Sequence, residues 1–397
     1  MSIRWRIVAG LAVLTVLAVG CERPTAEDPE HVDGPVRPGW HALRLPMPAG
    51  AAGRLVLRDT ATCAGRWYIA GAVADAAGET RPAVWTSTDA LTWSSVELTA
   101  KTYYGRQNVL SVVACRDGRV AAIGAKSGGA HANPRVSTWR QNPDGTLTEV
   151  IAPFELYGGP QAVNVARVVA GPAGWMIVGN RMSGAAAWTS ADAARFEIVE
   201  AAPELASDAR GETWAFDVLP LGDRWLVVGG VILTGRIDRD PLAWTSTDGR
   251  TWRRLSVPAD DGYEEMQRVV LVGGVPVALG LSGDGFGVWR GGAGPDSDGW
   301  TAVGRFGSRS THGVPAVRGL AATGDRLFAA TSDGVGHGLW TSADSGRSWR
   351  PIAAPTALPG GAERQVAVSA GADRLLVVAD DGVGGSAWWT AVPLDGA

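Results

Sequence analysis

Lysine is almost missing from this chain of 397 residues: Lys101 and Lys126 are the only two, and every other basic residue is arginine. We read that bias as codon usage in a GC-rich genome, and it excludes no function. Other shortages exclude more. Charged residues make up 19% of the chain and the formal net charge is -4, so a mildly acidic body argues against nucleic acid as a partner. The five histidines (31, 41, 131, 312 and 337) contain no pair at metal-ligand spacing, and no Gly-rich loop leads from a strand into a helix to cradle a phosphate. No metal and no cofactor is therefore expected. Helical periodicity is absent beyond the first twenty residues. Cysteine is scarce, with Cys21, Cys63 and Cys115 alone.

The one long apolar run, Ile7 to Val19, is short for a bilayer span but has the length of a signal-peptide core, and Arg4 and Arg6 precede it as a positive n-region. It ends in Leu17-Ala18-Val19-Gly20-Cys21, which resembles the lipobox of bacterial lipoproteins. That resemblance implies a signal peptide over 1–20, a diacylated Cys21, and a protein lipid-anchored outside the cytoplasm, with the bacterial membrane as a partner. Loss of Arg4 and Arg6 takes the net charge from -4 to -6. From Glu22 to Pro38 the chain holds four prolines, several acids and no apolar period. Residues 21–38 thus read as a flexible tether, and 39–397 as the body.

What the body has in abundance is a repeated phrase. Trp-Thr-Ser-x-Asp followed by a second aromatic occurs as Trp85 to Asp89 with Trp93, Trp188 to Asp192 with Phe196, Trp244 to Asp248 with Trp252, and Trp340 to Asp344 with Trp349. Before each phrase lie two short apolar strands divided by a Gly- or Asp-containing turn, such as Val165 to Ala170 and Trp175 to Val178. Four short antiparallel strands per repeat make a propeller blade. First strands are expected near Arg54, Val109, Ala162, Thr213, Glu264, Val314 and Glu363, at spacings running from 55 down to 49 residues. Thr138-Trp139-Arg140 and Val288-Trp289-Arg290 mark two units whose phrase has decayed. The fold class is therefore all-β, a seven-bladed propeller. The seventh unit ends at its third strand, and Gly39 to Pro46 has the Trp-to-Pro spacing of a true fourth strand. An N-terminal strand closing the last blade would leave no open sheet edge.

Ser342-Ala-Asp344-Ser-Gly346-Arg-Ser-Trp349 resembles the Asp-box of BNR-repeat propellers, and Ser246 to Trp252 is a version one residue shorter. Such motifs occur in sialidases, other glycoside hydrolases, sortilin-type receptors and photosystem assembly factors. The resemblance implies that Asp89, Asp192, Asp248 and Asp344 are structural, bonding turns between third and fourth strands on the face opposite the usual active-site loops. Sialidases also clamp a carboxylate with three arginines and carry an Arg-Ile-Pro motif. Leu43-Arg44-Leu45-Pro46 matches that motif superficially, but the repeat alignment puts Arg44 on an outer fourth strand, away from any clamp.

Binding residues are expected on the connections from fourth to first and from second to third strands. There the chain places Tyr103, Tyr104 and Arg106, Glu155 and Tyr157, Arg181, Arg236 and Arg239, and Asp260 to Glu265 around Tyr263. Tyrosine beside carboxylates and arginines suits an anionic sugar or glycosidic chemistry; a merely solvated rim explains the same residues. Cys63 and Cys115 sit near the ends of adjacent first strands. They form either a disulfide, as an oxidising compartment favours, or two buried thiols, since inner strands can hold α-carbons beyond the ~7 Å a bridge tolerates. The reading is a binding or scaffolding module for a glycan, cell-wall component or protein, with a sialidase-like hydrolase as the alternative.

Overall fold

Alternating apolar residues bounded by Gly and Asp turns commit the body to short antiparallel ladders. The computed structural model, which describes residues 34–128, 133–292 and 299–394, shows seven such sheets. The signal segment and Cys21 lie outside the described residues. The innermost strands are Arg54–Cys63, Val109–Arg116, Ala162–Gly171, Gly211–Leu221, Glu264–Val272, Ala316–Thr323 and Gln365–Ala370. Three of them begin two residues away from where the sequence put them. Consecutive inner strands touch all the way round, the seventh against the first. The fold is a seven-bladed β-propeller. Blade 2 departs from four strands: Leu98–Thr99 adds a fifth, parallel to Leu147–Val150.

Closure happens as the spare N-terminal strand suggested. His41–Ala42 pairs antiparallel with Gly385–Ala391 and becomes the outer strand of blade 7. Leu43 N–H donates to Ala387 O at 2.9 Å, and the half-buried Trp40 donates its indole N–H to Ala353 O at 2.7 Å. The segment expected to be tether is in part body. Val36 is buried and bridges Ile352 of blade 6, exchanging bonds of 2.8 Å with Pro351 O and 2.7 Å with Ala353 N. A strap thus runs from blade 6 to blade 7 before the ring proper begins.

The apolar clusters lie between blades. One joins Met176, Val178 and Ala187 of blade 3 to Val218, Val227 and Trp244 of blade 4, and the others repeat the scheme around the ring. Trp85, Trp188 and Trp244 of the repeated phrase are fully buried. Each also donates its indole N–H outward, to Pro46 O, Leu156 O and Glu204 O at 2.7 to 2.8 Å. Those acceptors lie on connections entering the Trp's own blade. In these three copies the phrase packs the blade pair and pins a loop, which a Leu could not do, whereas the half-buried Trp340 donates to Thr331 Oγ1 within its own blade at 2.9 Å.

Candidate functional site

Chain direction alternates within a blade, so the two ends of the ring differ. Connections from fourth to first and second to third strands form a loop face. Turns from first to second and third to fourth strands form a turn face.

The repeated Ser-x-Asp segments build the turn face. Asp89 accepts from Leu91 N at 2.8 Å, Thr92 N at 2.7 Å and Ser87 Oγ at 2.8 Å. Asp192 does the same with Ala194 N, Arg195 N and Ser190 Oγ, and Asp344 with Ser348 N, Ser348 Oγ and Ser342 Oγ. Asp248 accepts from Thr251 N, Arg250 N and Ser246 Oγ, and these donors hold its carboxyl down at about 2. The residue after the Asp is left-handed in three turns: Ala90, Ala193 and Gly249 have φ of 57°, 58° and 71°. In the longer turn Ser345 and Gly346 are both left-handed. All four carboxylates are engaged by their own turns.

On the loop face the structure disperses several residues the sequence put forward. Arg181 is buried, with each of its three nitrogens engaged: Nε bonds Glu200 at 2.8 Å, and its two terminal nitrogens reach Gly158 O and Glu155 O at 3.0 and 3.4 Å. It staples the loop before blade 3, and its burial takes it off the exposed surface on which the sequence placed it as a binding residue. Arg236 is paired with Asp240 at 3.0 Å. Tyr157 is buried against Trp188. Tyr103, by contrast, stands 62% exposed, edge-on to Tyr104 with ring centroids 5.2 Å apart, and Arg106 is exposed beside them. The Arg135 guanidinium lies over Phe154 at 4.4 Å and Tyr104 at 5.7 Å. Tyr104, Arg135 and Phe154 frame a cavity of about 360 Å³ between blades 2 and 3, with Tyr103 and Arg106 outside its lining.

Glu149, which the sequence reading passed over, anchors that cavity. Buried, it accepts from Lys101 N, Thr102 N, Thr102 Oγ1 and Ser137 Oγ at 2.6 to 2.9 Å. Burial alone would raise its pKa, but the four donors win and hold it below the usual carboxylate range. Gly105 is required here: a Cβ would stand 2.0 Å from Glu149 Oε2. A third cluster surrounds Tyr263, whose hydroxyl donates to Glu265 at 2.8 Å and accepts from Arg239 at the same distance. Arg239 also pairs with Glu265 and sits among Trp214, Phe216 and Tyr263. Burial, and then the Glu265 charge, push the Tyr263 hydroxyl well above its usual value.

The central channel holds charged residues the sequence reading did not single out. Six inner strands carry a bulge at corresponding positions, beginning with Leu57/Asp59 in blade 1 and ending with Val317/Gly319 in blade 6. Bulges re-aim side chains. Asp59, Arg167, Asp217, Arg268 and Arg318 stand at or beside them and line one cavity of about 420 Å³. Some of these stitch the ring: Asp59 accepts Val113 N at 2.9 Å, and Asp217 accepts Val269 N at 3.1 Å. Arg167 bridges both carboxylates, at 3.1 Å to Asp59 and 3.8 Å to Asp217. Among the described residues no group of three His, Cys, Asp or Glu is placed to hold a metal ion.

Solved structures similar to this chain include YCF48 bound to D1 peptide, with a TM-score of 0.51 and 13% identity over 89% of this chain and 96% of that one. The β-propeller domain of Cps50 (Swd1) from Myceliophteria thermophila has a TM-score of 0.51 and 12% identity over 88% and 99%. The Trypanosoma rangeli sialidase has a TM-score of 0.46 and 11% identity over 90% of this chain and 60% of that one. At such identities the likeness shows the propeller fold and no more. No protein-family model and no curated protein matches the sequence.

Proposed function

We propose that this chain is a lipoprotein propeller of the Asp-box type, held outside the cytoplasm through Cys21, that binds a protein partner on its loop face. One observation carries the reading. Of the large apolar side chains exposed among the described residues, all but Leu91 and Leu271 belong to the loop face: Met47, Tyr103, Ile151, Phe154, Val163, Met182, Leu233, Ile237, Val314, Val335 and Val383. Apolar exposure gathered on one end of a rigid ring marks an interaction surface, and Tyr and Arg are the residues on which interface energy concentrates. One protein of similar fold is itself bound to a peptide, so a propeller of this kind is compatible with a protein ligand.

The test uses membranes of cells making the full chain with a photoreactive phenylalanine at one position. Crosslinked protein adducts are expected from positions 103 and 237 on the loop face, and not from 91 and 271. In the processed form of Cys21→Ser, both the chain and its adducts should move to the soluble fraction, because the acyl chains supply the attachment. Equal adducts from both faces would sink the proposed surface, and membrane retention of the processed variant would sink the anchor.

A sialidase-like hydrolase is the second reading, favoured by the Tyr263–Glu265 pair beside Arg239. It requires Tyr263 to act as a nucleophile, whereas burial and Glu265 keep its proton on. A fluorogenic sialoside cleaved by the protein but not by Tyr263→Phe would establish this reading; an uncleaved sialoside removes it.

A further inference from the structure

The channel cavity runs along the C-terminal halves of all seven inner strands, the halves that lead to the turn face. It is therefore distinct from the loop-face surface proposed above. Its volume of about 420 Å³ falls within the range of small-molecule pockets, ~300–1,000 Å³. Its charged lining is three arginines against two aspartates, so the site carries one positive charge in excess. The bonding shows where that excess sits. Arg167 is engaged by both aspartates. Arg268 donates one terminal N–H to Gln267 O at 2.6 Å, and its Nε–H is buried without an acceptor. Arg318 makes no hydrogen bond or ion pair among the described residues, and its Nε–H is likewise buried without an acceptor. Burial and the neighbouring Arg167 push Arg268 down to about 10, and the opposing pull of Asp217 and Asp59 does not offset them.

Below the arginines the wall turns apolar, through Ala114, Val169, Leu219, Val270, Leu320 and Ala370. Arg268 and Arg318 are half-buried, each with a shielded Nε–H that has no acceptor, and an anion presenting oxygens to these guanidinium groups would supply one. We propose that the central channel is a binding site for a carboxylate carried on a short apolar stem, with Arg318 and Arg268 receiving the carboxylate and the alkyl wall receiving the stem. Such a group comes either from a short-chain fatty acid or from the free C-terminus of an apolar peptide.

The purified full chain is titrated with hexanoate, with hexan-1-ol, and with acetyl-Val-Leu as free acid and as amide. Binding is read from perturbation of intrinsic tryptophan fluorescence or by calorimetry. Saturable binding is expected for hexanoate or for the peptide acid, whichever source fits, and at least tenfold weaker binding for hexanol and for the amide. Arg318→Gln should weaken the carboxylate ligand at least tenfold, while Arg318→Lys retains part of the affinity because it keeps the charge. Both variants should melt no lower than the parent, since Arg318 holds no partner to lose. Absence of saturation with either acid, equal binding of the neutral analogues, or an Arg318→Gln protein that binds like the parent would each overturn the site. Loop-face adducts do not depend on this cavity, so the two proposals fail separately.

Discussion

A chain lacking residues 35–46 is expected to melt about 10 °C or more below the full chain and to aggregate on standing. The deletion strips Gly385–Ala391 of its ladder partner and removes the Val36 bridge to Ile352. It also takes away the carbonyl of Pro46 that accepts the buried Trp85 indole at 2.8 Å, and the Leu43 and Leu45 side chains packed against blades 1 and 7. Losing a ladder, a buried indole bond and apolar cover together exceeds the ~4 kcal/mol that marks a severe single lesion. At ~2–4 °C per kcal/mol for large domains, that gives the stated shift. Aggregation follows because the strand left bare is a template for other edges. Differential scanning calorimetry checks the first part and light scattering the second. Trp40→Ala should show a fraction of the same loss, since it removes only the bond to Ala353 O and its own packing. A deleted chain melting within 2 °C of the parent would mean that the blade 6 to blade 7 strap does not close the ring.

The ring was legible because one supersecondary unit is written out seven times, and errors in a single repeat are absorbed by its neighbours. Features made of one or two residues were not. Leu98–Thr99 is too short to show a period of two, and Val36 stands in a Pro-rich stretch whose composition reads as tether. Its docking rests on two backbone bonds, which no side-chain pattern announces.

The candidate sites were legible only by position. Arg181 and Tyr103 both belong to loop-face connections, yet one is buried among Glu200 and two carbonyls and the other stands in solvent. Sequence distance cannot tell a stapling arginine from a free one when its partners lie on other connections. The channel arginines did leave a signal. Arg167, Arg268 and Arg318 recur at equivalent first-strand positions, two repeats and then one repeat apart, each followed by apolar residues, and a charge there has to be paired or used. Rigid scaffolds ordinarily carry function on loops, and a charge on an inner strand falls outside that pattern.

The disulfide offers the second large effect. Cys63 and Cys115 are joined, with α-carbons 6.1 Å apart, inside the ~7 Å bridging limit that made the pairing an open question. The bridge locks the inner strands of blades 1 and 2 across a sequence separation of 52 residues. In the chain-entropy account, a loop of that length withholds about 4 kcal/mol from the unfolded state. Cys63→Ala/Cys115→Ala should therefore unfold in urea at a clearly lower midpoint, with the slope of the transition raised because the unfolded chain expands further. Reductant should bring the parent to the midpoint of the variant and leave the variant unmoved. The single variant Cys115→Ala leaves Cys63 as a free thiol beside the channel and should match the double variant in reductant. A parent and a double variant with one midpoint under oxidising conditions would show that the packing between these two blades, and not the covalent bond, holds their inner strands in register.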